Sequence, residues 1–228
     1  MKLLYNGKTK NVYELENGYL LLKFKDDGTV DDKGNFDPGG NAVGLTVKGM
    51  GDANLRLTDF FFSKINEAGF NSHYLSADLE KACMTVKPAK PFGKGLEVIC
   101  RFKATGSFMR RYKIYAEEGQ TLPALVEMTI KDDERGDPPI TKESLCVLEI
   151  MNTAEYDELV DLTQKISTLI KDELSKKAAV LYDIKLEFGR SELDKKIMLI
   201  DEISGGSMRV YKDGKIINPF EIAKLVLS

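Results

Sequence analysis

The stretch Tyr182-Asp183-Ile184-Lys185-Leu186-Glu187-Phe188 alternates apolar and charged residues without a break. Side chains two apart on an extended chain point the same way, whereas a helix would scatter these residues around its axis. The segment therefore reads as a β-strand with Tyr182, Ile184, Leu186 and Phe188 on one face and Asp183, Lys185 and Glu187 on the other. A core must cover the first face, and the second presents an ammonium between two carboxylates. Ile197 to Ile203 is a second apolar run, which predicts a hairpin with Val180 to Phe188. In an antiparallel pair Asp201 or Glu202 then lies beside Glu187. Clustered carboxylates repel unless a cation sits between them, and oxygen-only ligands suit Mg²⁺ together with waters and substrate phosphates. A solvated hairpin face with ordinary cross-strand pairs accounts for the same pattern, so the strand alone leaves both readings open.

Around this strand the chain mixes sheet and helix. Leu3 to Phe24 reads as short strands around turns at Asn6-Gly7 and Asn17-Gly18. Asp26 to Gly44 is rich in Asp and Gly and has no periodicity, which predicts a long loop. Leu57, Phe61, Ile65 and Ala68 recur at helical spacing before Gly69, predicting a helix from Asn54 to Ala68. Strands follow at Cys83 to Val86, Leu96 to Lys103 and Ala124 to Ile130, the first two joined by a connection punctuated by Pro88, Pro91, Gly93 and Gly95. Asn152 or Thr153 caps a helix whose Leu159, Leu162, Ile166, Leu169 and Leu174 form one apolar stripe, and Asn218-Pro219 opens a terminal helix. The proline- and glycine-rich connection divides the chain into an N-terminal β-rich lobe, residues 1–93, and a C-terminal α/β lobe, residues 94–228.

Charge narrows the partners. The 228 residues carry 33 Lys+Arg against 36 Asp+Glu, a formal net charge of -3, so no overall field attracts nucleic acid or an anionic membrane. An anionic ligand must meet local cations. No apolar run approaches the ~18 residues needed to span a bilayer, and no apolar signal core follows Met-Lys-Leu-Leu-Tyr-Asn-Gly-Lys. Cys83, Cys100 and Cys146 are odd in number and lack CxxC spacing, which predicts reduced thiols in a cytoplasmic chain.

Two further segments offer such cations. Gly7-Lys8-Thr9-Lys10 is a tight turn whose glycine permits close backbone approach to a phosphate, whose lysines supply charge, and beside which Val12 fits over an adenine ring. It is not the GxxxxGK[ST] pattern, and a short hairpin with two solvated lysines is the commoner explanation for such a tetrapeptide. Arg101 and Lys103 end a strand before Thr105-Gly106-Ser107 leads into Phe108-Met109-Arg110-Arg111-Tyr112. A Gly-Ser turn opening a helix offers N–H donors and a hydroxyl to an anion; a plain helix cap is the alternative. Lys131-Asp132-Asp133-Glu134-Arg135-Gly136-Asp137 reads as a solvated turn.

Taken together, GKTKNVY, ICRFKATGSFMRRY, KDDERGDPPIT, YDIKLEFG and LIDEISGGSMRVY, in that order, resemble the phosphoribosylaminoimidazole-succinocarboxamide synthase (SAICAR synthetase) family of purine biosynthesis. The resemblance implies an α/β (α+β) fold of two lobes, the N-terminal one an antiparallel β lobe similar to the small lobe of protein kinases, with an ATP cleft between them. It implies an ATP-dependent ligase joining a 5-aminoimidazole-4-carboxylate ribonucleotide to L-aspartate through an acyl phosphate. By motif, Gly7, Lys8, Lys10, Val12 and Lys131 match the ATP site, and Glu187 and Asp201 the Mg²⁺ ligands. Arg101, Ser107 and Arg209 match the grip on the ribonucleotide, with Asp183 and Lys185 beside them, and Asp137 the acid near the reacting carboxylate. Lys10, Lys131, Asp137, Asp183 and Lys185 are the expected catalytic set. Small-molecule substrates, no nucleic acid or membrane partner, and a homodimer or higher homo-oligomer are also expected. His73, the one histidine, is expected to be packed or hydrogen-bonded. A small-molecule kinase on the same cleft and a nucleotide-binding module without turnover are the alternatives. The chain departs from the family pattern at Lys48 to Asn54, read as a short insertion before the helix, in the Asp- and Gly-rich loop, and after Tyr211.

Overall fold

The alternating segment forms the longest strand of the described chain, Val180–Ser191, and the rest of the larger sheet is arranged around it. The computed structural model describes residues 1–30 and 42–228. In chain order the first elements are β1 (Lys2–Asn6), β2 (Lys10–Glu14), β3 (Leu20–Phe24), β4 (Asp27–Val30), β5 (Ala42–Thr46) and α1 (Met50–Glu67). Then come β6 (Tyr74–Asp78), β7 (Cys83–Val86), β8 (Ala89–Pro91), β9 (Leu96–Lys103), α2 (Ser107–Tyr112) and β10 (Thr121–Ile130). The chain closes with α3 (Lys142–Val147), α4 (Thr153–Ser175), β11 (Val180–Ser191), β12 (Ile197–Ile200), β13 (Met208–Lys212), β14 (Lys215–Ile216) and α5 (Pro219–Leu227).

Two antiparallel sheets carry the fold, the mixed α/β architecture expected. The first has the order β1-β2-β3-β7-β6, and the second runs β10-β9-β11-β13-β14, with β8 and β12 pairing the far half of β11. Because β8 joins the larger sheet, strands of the smaller sheet end at Val86. Period-two burial holds from Ile184 to Phe188, where Ile184, Leu186 and Phe188 are buried in the core while Lys185 and Glu187 face outward; nearer the strand's start both Leu181 and Asp183 are buried, beside an irregularity in the register with β13. The stripe of α4 lies over this sheet through Leu159, Ile166, Ile170 and Leu174, each fully buried side chain contributing roughly 1.5–3 kcal/mol. Asn152 caps α4 in a reciprocal pair with Glu155, and Asn218 caps α5 with Pro219 at its first position. No helix among the described residues is long and apolar enough to cross a membrane.

Three expectations change. The hairpin forms only at the end of β11, where Glu187 faces Ile200 and Arg190 faces Ile197; nearer its start, Val180 to Ile184 pairs β13 instead. Asp201 to Ile203 leave the ladder because Asp201 adopts a left-handed φ of 69°. Secondly, α1 begins at Met50 rather than Asn54, so Met50 to Asn54 of the segment that departs from the family pattern lies in its first turn. Gly49 supplies the left-handed start (φ 87°), and the Asp26 carboxylate accepts the N–H groups of Gly49 (3.1 Å) and Gly51 (2.9 Å). That cap comes from more than twenty residues away, outside the reach of local pattern. Thirdly, the ends of the segment read as a loop, β4 and β5, pair antiparallel; its remainder, 31–41, lies outside the described residues.

Candidate active site

The turn between β1 and β2 brings Gly7, Lys8, Thr9, Lys10 and Val12 to one wall of a cleft of about 390 Å³. Lys131, Lys185, Glu187 and Asp201 form the opposite wall. Only glycine fits at position 7, since an added Cβ would lie 2.7 Å from the carbonyl oxygen of Lys10. The cleft is closed across by ion pairs: Lys8 Nζ lies 2.7 Å from Asp133, and Lys10 Nζ lies 2.9 Å from Asp201 and 3.0 Å from Glu202.

Carboxylates and ammoniums interleave behind these contacts. Lys131 Nζ lies 2.7 Å from Glu187, and Lys185 Nζ 2.7 Å from Glu97. Burial raises the Glu187 pKa and the neighbouring Asp201 charge raises it further, against the pull of Lys131. Burial also pushes Asp201 up, but Lys10 and Lys131 outweigh it and hold Asp201 below its ordinary value. Lys10 is pushed down by burial and raised more strongly by Asp201 and Glu202, so it stays charged. Two adjacent buried carboxylates thus compete for the same ammoniums, and a further cation between them would relieve their repulsion.

Asp201 is anchored from its main chain. His73 is buried, lies against Phe62, and its Nε2–H donates to the Asp201 carbonyl oxygen at 3.0 Å. Burial pushes the imidazole down to about 4, so it is neutral, as the packed and hydrogen-bonded reading expects.

Register explains the second group of residues. Asp183 faces Arg101 on β9 and Arg209 on β13, so the three form a row across adjacent strands. Arg101 is 1% exposed and each of its guanidinium nitrogens has a partner, with Glu127 at Nε, Asp183 at Nη1 (2.9 Å) and Ser107 at Nη2 (2.8 Å). Arg209 Nη1 reaches Asp183 at 3.0 Å and lies against Gly106, where a Cβ would meet the guanidinium carbon at 2.8 Å. Thus Arg101, Ser107, Asp183 and Arg209 come together, but beside the cleft rather than along its lining. The Gly-Ser turn does open a helix, though α2 is only six residues long. Asp137 stands apart: its carboxylate accepts the Asp132 N–H (2.8 Å), closing the turn, and it does not line the cleft.

Sequence reasoning passed over Glu97, Asp133, Lys94 and Asn54, all of which line the cleft. Glu97 was within reach, since it shares the period-two face of Arg101 on β9. Asp133 was not, because its partner Lys8 lies far away in sequence within a turn that looks merely solvated.

As for a metal, Glu187 and Asp201 offer the two hard oxygen donors that Mg²⁺ takes from protein when phosphates and waters complete its shell. The pair fits such an ion in donor type, number and surplus negative charge. No group of three or more His, Cys, Asp or Glu side chains among the described residues forms a cage of its own.

Comparison with known proteins agrees with this geometry. The sequence profile of SAICAR synthetase matches residues 3–219. A phosphoribosylaminoimidazole-succinocarboxamide synthase of Clostridium tetani is 60% identical over 228 residues, all of both chains. The solved structure of protein TM1243, described as a SAICAR synthetase, superposes with a TM-score of 0.84 at 31% identity, covering 98% of each chain. A type-2 SAICAR synthetase solved in complex with ADP gives 0.83 at 29% identity, over 94% of this chain and 87% of its own.

Proposed function

The chain belongs to the SAICAR synthetase family, and on that premise we propose that its cleft is the ATP site of a carbon–nitrogen ligase. The reaction is ATP-dependent ligation in purine biosynthesis. It joins the carboxylate of the aminoimidazole ribonucleotide to the amino group of L-aspartate, with ADP and phosphate released. The single observation that carries this reading is the cleft itself, where a glycine-lysine turn faces an interleaved set of carboxylates and ammoniums.

A carboxylate is a poor acyl donor because oxide would have to leave. A carboxylate oxygen therefore attacks the γ-phosphorus of ATP, the bond to ADP breaks, and an acyl phosphate results. The aspartate nitrogen then attacks the carbonyl carbon, phosphate departs with the electron pair, and the nitrogen loses a proton. The chain needs no nucleophile for this. Lys8, Lys10 and Lys131 offset charge on the polyphosphate, and Gly7 admits it close to main chain. Val12 covers the adenine. Arg209 and Ser107 meet the ribonucleotide, oriented by Arg101 and Asp183, while Lys185 faces the cleft between the two groups. Asp137 shapes the turn that carries Lys131 and Asp133. Glu187 and Asp201 are the residues to hold Mg²⁺, which would neutralise phosphate oxygens when bound. The lobe division near residue 93, a cytoplasmic setting and a homodimer or higher oligomer belong to the same proposal; the exposed Ile114, Tyr115, Val147 and Leu148 offer apolar surface for self-association.

The test is ADP release with Mg-ATP and the carboxyaminoimidazole ribonucleotide, with and without L-aspartate, with product followed by mass. Aspartate-dependent ADP and succinocarboxamide in equal amounts are expected. ADP release independent of aspartate would instead favour a kinase.

A further inference from the structure

Lys25 does not line the cleft, yet it holds the turn that does. Its Nζ donates to the carbonyl oxygen of Gly7 and to Asn6 Oδ1, both at 2.7 Å, and its own N–H donates to the carbonyl oxygen of Thr9 at 2.8 Å. One residue of the neighbouring strand end thus grips three positions of the turn. In a trans peptide the C=O of one residue and the N–H of the next point in opposite directions. Fixing the Gly7 oxygen onto an ammonium outside the cleft therefore turns the Lys8 N–H the other way. Among the described residues that N–H has no main-chain partner in the turn, and Lys8 lines the cleft. An N–H turned away from Lys25, without a main-chain partner, in a residue that lines the cavity beside Lys10, is a donor available to an anion.

Building on the ATP-site reading above, the geometry assigns Lys25 as the positioning residue that orients the Gly7–Lys8 peptide so that its N–H meets a phosphate of the nucleotide. Lys25 acts through the peptide and touches no substrate. The role predicts discrimination: the part of binding that depends on phosphate needs Lys25, and the part that depends on the nucleoside does not. A residue that merely stabilised the lobe would weaken both.

The experiment measures ADP and adenosine affinity by calorimetry for the full chain and for Lys25→Met, Lys25→Arg and Asn6→Ala, together with steady-state turnover. Lys25→Met is expected to weaken ADP about tenfold, the size of one hydrogen bond to a charged group, with adenosine affinity unchanged. The KM for ATP rises accordingly while kcat at saturating ATP is retained. Lys25→Arg restores ADP affinity, and Asn6→Ala, which frees one anchor of the ammonium, gives a smaller loss of the same kind. Equal ADP affinity in Lys25→Met and parent, or equal weakening of ADP and adenosine, overturns the assignment. Should Lys25→Met not fold by circular dichroism, the same two comparisons on Asn6→Ala decide. A parent chain that binds ADP but makes no product breaks the ligase reading alone, and one that binds no ADP breaks both.

Discussion

Strand β11 ends in two glutamate-centred ion clusters that solve opposite problems. On one side, Glu155 of α4 receives Arg190 in a two-pronged pair (2.6 and 2.9 Å), while Arg190 also donates to the Ile150 carbonyl oxygen and stacks over Phe92. Glu155 additionally accepts the Asn152 N–H, so one charge of each sign is fully engaged by rigid elements. On the other, among the described residues, Glu187, Asp201 and Glu202 share Lys10 and Lys131, three carboxylates against two ammoniums on long stems at the edge of a cavity. The hydrogen bond from Arg190 pulls the Glu155 pKa down, whereas burial beside Asp201 pushes Glu187 up. The first cluster is complete without a ligand. The second is short of positive charge, which the proposed Mg²⁺ would supply.

The widest separation between the clusters should come from Asp201→Asn. Asparagine tolerates the left-handed conformation at this position, so the fold survives while a charged ligand oxygen is lost. Turnover should fall by roughly 10²–10³-fold, read as ADP release, while stability falls only by the modest share that the Lys10 ion pair contributes. Matching losses of activity and stability would mean that Asp201 is a structural residue.

Breaking the other cluster should reverse the pattern. Arg190→Met leaves Glu155 half-buried without its partner and should cost about 1–3 kcal/mol, a fall of about 2–4 °C in Tm per kcal/mol. The folded fraction should keep its kcat. Loss of kcat in that fraction would show that the cluster reaches the cleft.

A finer contrast comes from exchanging each central glutamate for glutamine. In denaturant titrations without divalent ions, Glu155→Gln should lower the unfolding midpoint, while Glu187→Gln should leave it unchanged or raise it because one of three crowded charges is gone. Equal destabilisation by both would erase the distinction.

The smallest effect is in pH. Glu155 titrates lower in the folded chain than unfolded, so its contribution is fully present above the unfolded value near 4.5 and disappears as pH falls through the folded value. Glu187 works in the opposite sense: its share is present below the unfolded value and is lost as pH rises through the raised one. Urea unfolding between pH 3 and 5 should therefore show a slope that Glu155→Gln flattens.

Much of this was legible residue by residue. The period-two face of β11 placed Asp183, Lys185 and Glu187 together, and the caps at Asn152 and Asn218 stand where side-chain chemistry puts them. The start of α1 was not, because its cap, Asp26, arrives from a distant turn. Nor was the reach of Lys8 to Asp133 or of Lys10 to Glu202, since pairs separated by most of the chain leave no local periodicity.

The amino-acid order determined what each segment is: alternation, stripes and caps act within a few residues, and the ordered motifs identified the family. Tertiary structure decided which surplus charges meet. Asp201 stands beside Glu187 because the chain turns left-handed at the end of β12 and His73 holds its carbonyl, and Lys10, early in the sequence, neutralises Asp201 and Glu202, 191 and 192 residues later. Electrostatic interaction depends on distance through space, and that distance is set by packing rather than by sequence.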